Sequence, residues 1–256
     1  MIKITFLGTG TSQGIPVIGS DHPVSFSSDP KDKRLRSSIL IEYKDFNFVI
    51  DCGPDFRQQM LRTNCRKLDA IIFTHEHADH TTGIDDVRPY FFRQGKIPIY
   101  LHERVLNSLH NRFAYIFDPK QKYPGAPDFE VNLITKENDF QILGLNIIPI
   151  EAVHYKLPVL GFRLGKFAYL TDVKTISDKE MLKLNGLDTL VINALRYESH
   201  PSHLNIEEAL EIIDQVKPKQ TFFTHISHNM GFHEEVCSNL PKSVSLAFDG
   251  LVLEVD

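Results

Sequence analysis

The segment Thr74-His75-Glu76-His77-Ala78-Asp79-His80 constrains this chain more than any other, setting four potential metal ligands within six residues directly after the apolar run Ala70-Ile71-Ile72-Phe73. An unbroken apolar run of that length reads as a strand buried on both faces, which requires other layers to cover it. A polar, ligand-rich loop therefore emerges at the edge of a covered sheet. In extended or tight-turn backbone, residues two apart point the same way, so His75 and His77 suit one cation while Asp79 and His80 turn toward a second. Cations about 3.5–4 Å apart repel, so such a pair also needs a bridging carboxylate and further imidazoles from elsewhere.

The rest of the chain supplies the layers. Strand-like runs cover Ile2 to Leu7, Ser38 to Tyr43, Phe46 to Ile50, Ala70 to Thr74, Ile97 to Leu101, Leu145 to Ile150, Phe167 to Thr171, Thr189 to Asn193 and Thr221 to Thr224. Helical spacing covers Asp55 to Arg62, Glu103 to Arg112, Asp178 to Leu184 and Ile206 to Val216, the last opened by Asn205 as N-cap and followed by Pro218. Strands come in pairs early and alternate with helices later, which predicts packed sheets with helices outside, an α/β sandwich in one domain. Gly8 to Arg36 and Asp118 to Asp128 are irregular; loops of that length serve as lids or as solvated excursions. A faint echo links Ile71 to His75 with Thr221 to His225, and Phe48 to Asp51 with Tyr169 to Asp172. Polar residues at strand ends of α/β folds line the ligand crevice, so these four groups are expected at one edge.

Composition narrows the class. With 28 Lys plus Arg against 33 Asp plus Glu, the formal charge is -5, so the chain as a whole does not attract nucleic acid or an anionic membrane. No stretch approaches the roughly 20 apolar residues of a membrane helix. The opening MIKITFLGTGTS alternates and then turns, as a strand and loop do and a secretion signal does not. Cys52, Cys65 and Cys237 lack paired spacing, as expected of reduced thiols in a cytoplasmic protein.

The His-x-His-x-Asp-His run resembles the signature of the metallo-β-lactamase superfamily, in which an isolated His, an Asp and a final His follow on successive strand ends. His154 after Val153, Asp172 after Thr171 and His225 after Thr224 match those positions. The resemblance implies an αββα sandwich with two divalent cations, zinc or manganese with iron as a further candidate. The first cation falls to His75, His77 and His154, the second to Asp79, His80 and His225, and Asp172 bridges them. Asp51 matches the early Asp that supports the His loop, although it also fits a helix N-cap before Pro54.

Within that superfamily, His200-Pro201-Ser202-His203-Leu204-Asn205 resembles the phosphodiesterase branch, whose corresponding His is the proton donor. His203 and Asp79 are accordingly the candidate catalytic residues, the latter also a ligand. Hydroxide generated at the metals would attack phosphorus, and an acid would protonate the departing alkoxide. Leu7 to Pro16 and Ala247 to Leu251 resemble the phosphoribosyl cyclic phosphodiesterases, pointing to a small cyclic phosphodiester as substrate. A transfer-RNA 3′-processing nuclease is the nearest alternative, and nucleic acid is disfavoured by the negative charge and by the lack of a Gly- and Lys-rich arm. A lactone or thioester hydrolase of the same fold follows, with a two-iron redox protein and a non-catalytic binding protein more distant. Homodimerisation is left open.

Relatives in the cyclic phosphodiesterase group hold a structural zinc with cysteines after Pro16. Here Gly19 to Ser25 offers only His22, so no third metal is expected. His200, His228 and His233 are either pocket or structural residues. His102 and His110 are expected at the surface or at helix caps, and Arg163 and Arg196 as phosphate contacts or ion pairs.

Overall fold

Ile39 and Ile41 alternate with Leu40, and Phe48 and Ile50 with Val49, and all six side chains are buried. A strand buried on both faces separates two cores, and the computed structural model, which describes residues 1–255, shows which they are. Ile39, Ile41, Phe48 and Ile50 meet Phe162, Leu164, Tyr169 and Val191 of a second sheet, while Leu40 and Val49 face helices.

The first sheet has the order β15-β1-β2-β3-β4-β5-β6. Its strands are β1 (Ile2–Gly8), β2 (Ser38–Tyr43), β3 (Phe46–Ile50), β4 (Ala70–Ile72), β5 (Ile97–Leu101), β6 (Phe129–Leu133) and β15 (Val252–Val255). The second has the order β11-β8-β9-β10-β12-β13-β14, with β7 paired to β8. It consists of β7 (Phe140–Ile142), β8 (Leu145–His154), β9 (Leu157–Leu164), β10 (Phe167–Leu170), β11 (Thr175–Ile176), β12 (Thr189–Asn193), β13 (Gln220–Thr224) and β14 (Val244–Leu246). Each sheet is antiparallel along one side and parallel along the other: β3 to β6 in the first, and β10, β12, β13 and β14 in the second. This repetition is the physical content of the sequence echo.

Helices α1 (Phe56–Thr63), α2 (Ala78–Thr81), α3 (Arg88–Gln94), α4 (Glu103–Arg112) and α5 (Ala114–Phe117) accompany the first sheet, and α1, α3, α4 and α5 share its outer core. Helices α6 (Asp178–Met181), α7 (Ile206–Val216) and α8 (His233–Asn239) cover the second. The result is the αββα sandwich implied by the resemblance. Helix α7 begins with a full capping box between Asn205 and Glu208 and ends at Lys217 in a left-handed conformation before Pro218.

Strand β8 runs four residues past the expected Ile150 to reach His154. The segment expected as one helix from Asp178 divides into α6 and a 3₁₀ turn at Leu182–Leu184. The Gly8 to Arg36 excursion is tied down by bridges from Gly10 to both Arg36 and Ile226. The second excursion packs Tyr123 against Tyr115 and Arg88, on the α3 and α5 side. No helix among the described residues is long and apolar enough to cross a membrane.

Candidate metal centre

The parallel strands place their polar ends together. Asp51 follows β3, Thr74 and His75 follow β4, His154 ends β8, Thr171 and Asp172 follow β10, and His225 follows β13. Asp51, Asp172 and His225 have φ of 68°, 59° and 55°. Residues other than glycine rarely adopt this left-handed region, and when they do it marks a turn or a functional site. Here it turns Asp172 and His225 into the cleft and Asp51 against the underside of the His loop. Backbone hydrogen bonds close the edge between sheets, from Leu160 N to Thr74 O (3.1 Å) and from Ile226 N to Thr9 O (2.9 Å).

The His loop is braced from below by Asp51. Thr74 donates to it from both N (2.9 Å) and Oγ1 (2.9 Å to Oδ2), and His80 Nδ1 lies 2.7 Å from Oδ2. Asp51 is therefore not a helix cap; Asp55 holds the N-cap position of α1. Gly53 lets the loop close in, since a Cβ there would stand 2.0 Å from the Asp79 carbonyl oxygen. From above, Arg104 donates to Glu76 Oε1 (2.7 Å), and Arg112 to Glu76 O and Thr81 Oγ1 (both 2.9 Å). Sequence reading missed these two arginines: they belong to helix α4, 28 and 36 residues from Glu76, and no local pattern announces such a contact.

With their Nδ1 atoms engaged, His75 by Thr74 Oγ1 (3.0 Å) and His80 by Asp51, both rings leave Nε2 for the cleft: that of His75 is buried with no hydrogen-bond partner, and that of His80 lies 3.1 Å from Asp79 Oδ2 and 3.2 Å from Asp172 Oδ2. His154 Nδ1 lies 2.7 Å from the Ser202 carbonyl, which only accepts, so its lone pair is on Nε2. His75 lies 4.6 Å from His77 and 5.9 Å from His154 between ring centroids, and His77 lies 5.1 Å from His154. Ligand atoms of Asp79, His80 and His225 fall within 4.8 Å of one another, as do those of His75, His80 and Asp172, and those of His154, Asp172 and His203. Asp172 and His80 are each common to two of these groups. The seven expected ligands are brought together, six through shared ligand-atom groups and the more exposed His77 through its ring's closeness to His75 and His154, and imidazole nitrogens and carboxylates fit divalent cations.

Charge agrees with that fit. Burial, reinforced by neighbouring imidazoles, holds the His75 and His77 pKa values below the usual histidine range, keeping them in the neutral form that binds metal. Burial also disfavours a proton on His80, but Asp79, Asp172 and Asp51 overcome it and push the pKa well up. The carboxylates around His80 thus demand positive charge, which cations supply.

His203 is also in the cluster. Its ring stacks on His225 (4.9 Å) and lies 4.5 Å from His154, and its Nδ1 is buried without a hydrogen-bond partner, 3.8 Å from Asp172 Oδ1. Leu204 pins the loop by donating to Val173 O and accepting from Leu195 N, both at 2.9 Å. Burial, with His225 adding to it, pushes the His203 pKa down to about 3.

The remaining candidates lie elsewhere, except His200, whose ring is 5.1 Å from that of His203. His233 packs its Nδ1 3.2 Å from the buried Arg34 guanidinium, a structural position, and His228 meets His22 edge-on at 5.1 Å. His22 caps a 3₁₀ turn by accepting from Val24 N, and hydrogen bonds such as Ser27 to Asp32 (2.5 Å) order that loop. His200 accepts from Ser202 N at 3.3 Å. His102 caps α4, and His110 packs against Phe117. Arg163 donates to backbone carbonyls, and Arg196 lies 3.6 Å from Glu198.

Comparison with known proteins places this architecture. The crystal structure of a new diphosphatase from the PhnP family aligns with a TM-score of 0.93 and 40% identity, covering 100% of this chain and 98% of that one. An octanoyltransferase from Porphyromonas gingivalis is 38% identical over 257 residues, covering 100% of this chain but 52% of that protein, so the chain spans about half its length. The short form of human tRNase Z shares the fold, with a TM-score of 0.70, 17% identity and 99% of each chain covered. A beta-lactamase superfamily domain model matches residues 46–226, a span that encloses every residue of the cluster. The chain belongs to the metallo-β-lactamase superfamily of metal-dependent hydrolases.

Proposed function

We propose that the chain is a phosphodiesterase that opens a small cyclic phosphodiester. The observation that carries this reading is the place of His203: an imidazole with a free, buried nitrogen beside the ligand cluster. A thiolate departs from a thioester without help from an acid, whereas an alkoxide departing from phosphorus benefits from one. The likeness to the diphosphatase, at 40% identity over the whole chain, supports phosphorus chemistry.

In this reading His75, His77 and His154 would hold one cation and Asp79, His80 and His225 the other, with Asp172 available to both. Zinc or manganese, with iron as a further candidate, would when bound there lower the pKa of water and neutralise charge on the phosphate. His203 Nδ1 carries the proton that passes to the leaving oxygen. An anionic ester beside it favours the protonated imidazole and so works against the push from burial. Asp51 and Ser202 fix the rings of His80 and His154, so that their free nitrogens stay aimed into the cleft. A net charge of -5 disfavours an RNA substrate.

His203→Ala is expected to lower turnover of a cyclic phosphodiester by about 10²–10⁴-fold while keeping the metal content of the wild type. Elemental analysis beside steady-state kinetics checks both. Loss of metal in step with activity would make His203 a ligand and end its role as the acid.

A further inference from the structure

We propose that Tyr155, at the tip of the β8–β9 hairpin, selects substrates by stacking on a planar aromatic group of the ester, an inference that rests on the phosphodiesterase reading. His154 pairs with Leu157, so Tyr155 and Lys156 alone make the turn. Two-residue hairpin turns that need positive φ take Gly, Asn or Asp. Tyr155 stands there with φ of 59°, a conformation that a bulky side chain adopts under strain. Its ring returns nothing to the core, being 62% exposed. Strain retained without packing gain points to function.

The surroundings say which function. Tyr155, Lys156, Leu157 and Pro201 wall a cavity of about 520 Å³ whose inner side is His77 and His154. The cavity thus opens directly onto two expected metal ligands. Ser202, whose carbonyl holds His154, also lines the cavity, and the His203 ring lies 4.5 Å from that of His154, so the cavity adjoins the expected proton donor. Leu157 and Pro201 offer apolar surface to the attached group, Tyr155 a ring face, and Lys156 Nζ, 5.3 Å from the centre of that ring, a positive charge that draws in an anionic ester.

The test compares bis(p-nitrophenyl) phosphate, which carries planar rings, with glycerol 1,2-cyclic phosphate, which has none. In Tyr155→Ala the ratio of kcat/KM for the two is expected to fall about tenfold, chiefly through KM for the aryl ester. Tyr155→Trp should restore it. An unchanged ratio would overturn the proposal. Tyr155→Trp also gives a single tryptophan to a chain that has none. Quenching of its fluorescence by phenylphosphonate but not by methylphosphonate is expected, and equal or absent quenching counts against stacking. If the wild type hydrolyses neither ester, the phosphodiesterase reading fails and this titration decides the pocket separately. Tyr155→Asn, which suits positive φ, should raise Tm by about 2–4 °C. A lower Tm would remove the strain argument.

Discussion

His80 approaches Oδ2 of Asp172 (3.2 Å) and His203 its Oδ1 (3.8 Å), and the two are held in opposite ways. His80 has its Nδ1 against Asp51 at 2.7 Å, its carbonyl accepting from Cys52 N at 2.8 Å, and three carboxylates around it. His203 is pinned through its neighbour Leu204, while its own Nδ1 has no partner. Both are buried, but the carboxylates push one pKa well up, while burial and His225 push the other down to about 3. A ring fixed through one nitrogen presents the other at a constant angle, which suits holding a cation. A ring with a free nitrogen suits proton traffic. The cleft therefore has a rigid half, built on Asp51 and the His loop, and a second half, formed by residues 200–203 and the β8–β9 hairpin, which is the reactive one in the proposed function.

Breaking the group that both halves share should have the largest effect. Asp172→Ala is expected to lose bound metal and to reduce turnover beyond the about 10²–10⁴-fold assigned to the acid. Dialysis followed by elemental analysis checks it, and full retention of both metals would show that Asp172 does not bridge them.

A smaller effect should sharpen the contrast. Asp51→Asn touches only the rigid half, weakening the support of His80 and of Thr74, and is expected to lower metal affinity about 10–100-fold. Chelator competition measures it; if His203→Ala weakened metal as much, the two halves would not differ in the way described.

The smallest effect lies outside the cleft. His233 sits beside Arg34, and burial together with that guanidinium holds its pKa down to about 4, against an ordinary 6.5. The unfolded chain takes up a proton below about 6.5 that the folded chain refuses until about 4, so the His233 contribution is complete above that window and fades as pH falls through it. Denaturant midpoints of wild type and His233→Gln should converge between pH 7 and pH 4 for this reason. A constant gap would mean that His233 is not held neutral.

The rigid half was legible in the sequence because its ligands crowd into His75 to His80 after an apolar strand, and His154, Asp172 and His225 followed by register against the superfamily. Strands β2 to β5, β10, β12 and β13 announced themselves as apolar runs. Strand β9 did not, since Pro158 and Gly161 interrupt its pattern; Gly161 is required where a Cβ would lie 2.7 Å from Leu170 Cγ. Strands β11 and β14, of two and three residues, are too short to carry a period. Glu76 reads as a spacer between histidines, yet it is the point where α4 grips the loop. Tyr155 was silent for another reason: only the backbone angle shows that a tyrosine there is out of place.

The most direct test is phosphorus NMR of a five-membered cyclic ribose phosphate incubated with zinc- or manganese-loaded protein, run beside His203→Ala. Ring opening by the wild type, and opening slowed by about 10²–10⁴-fold in the metal-replete variant, is the predicted result. An intact cyclic phosphate with either metal, or equal opening by both proteins, would contradict the account.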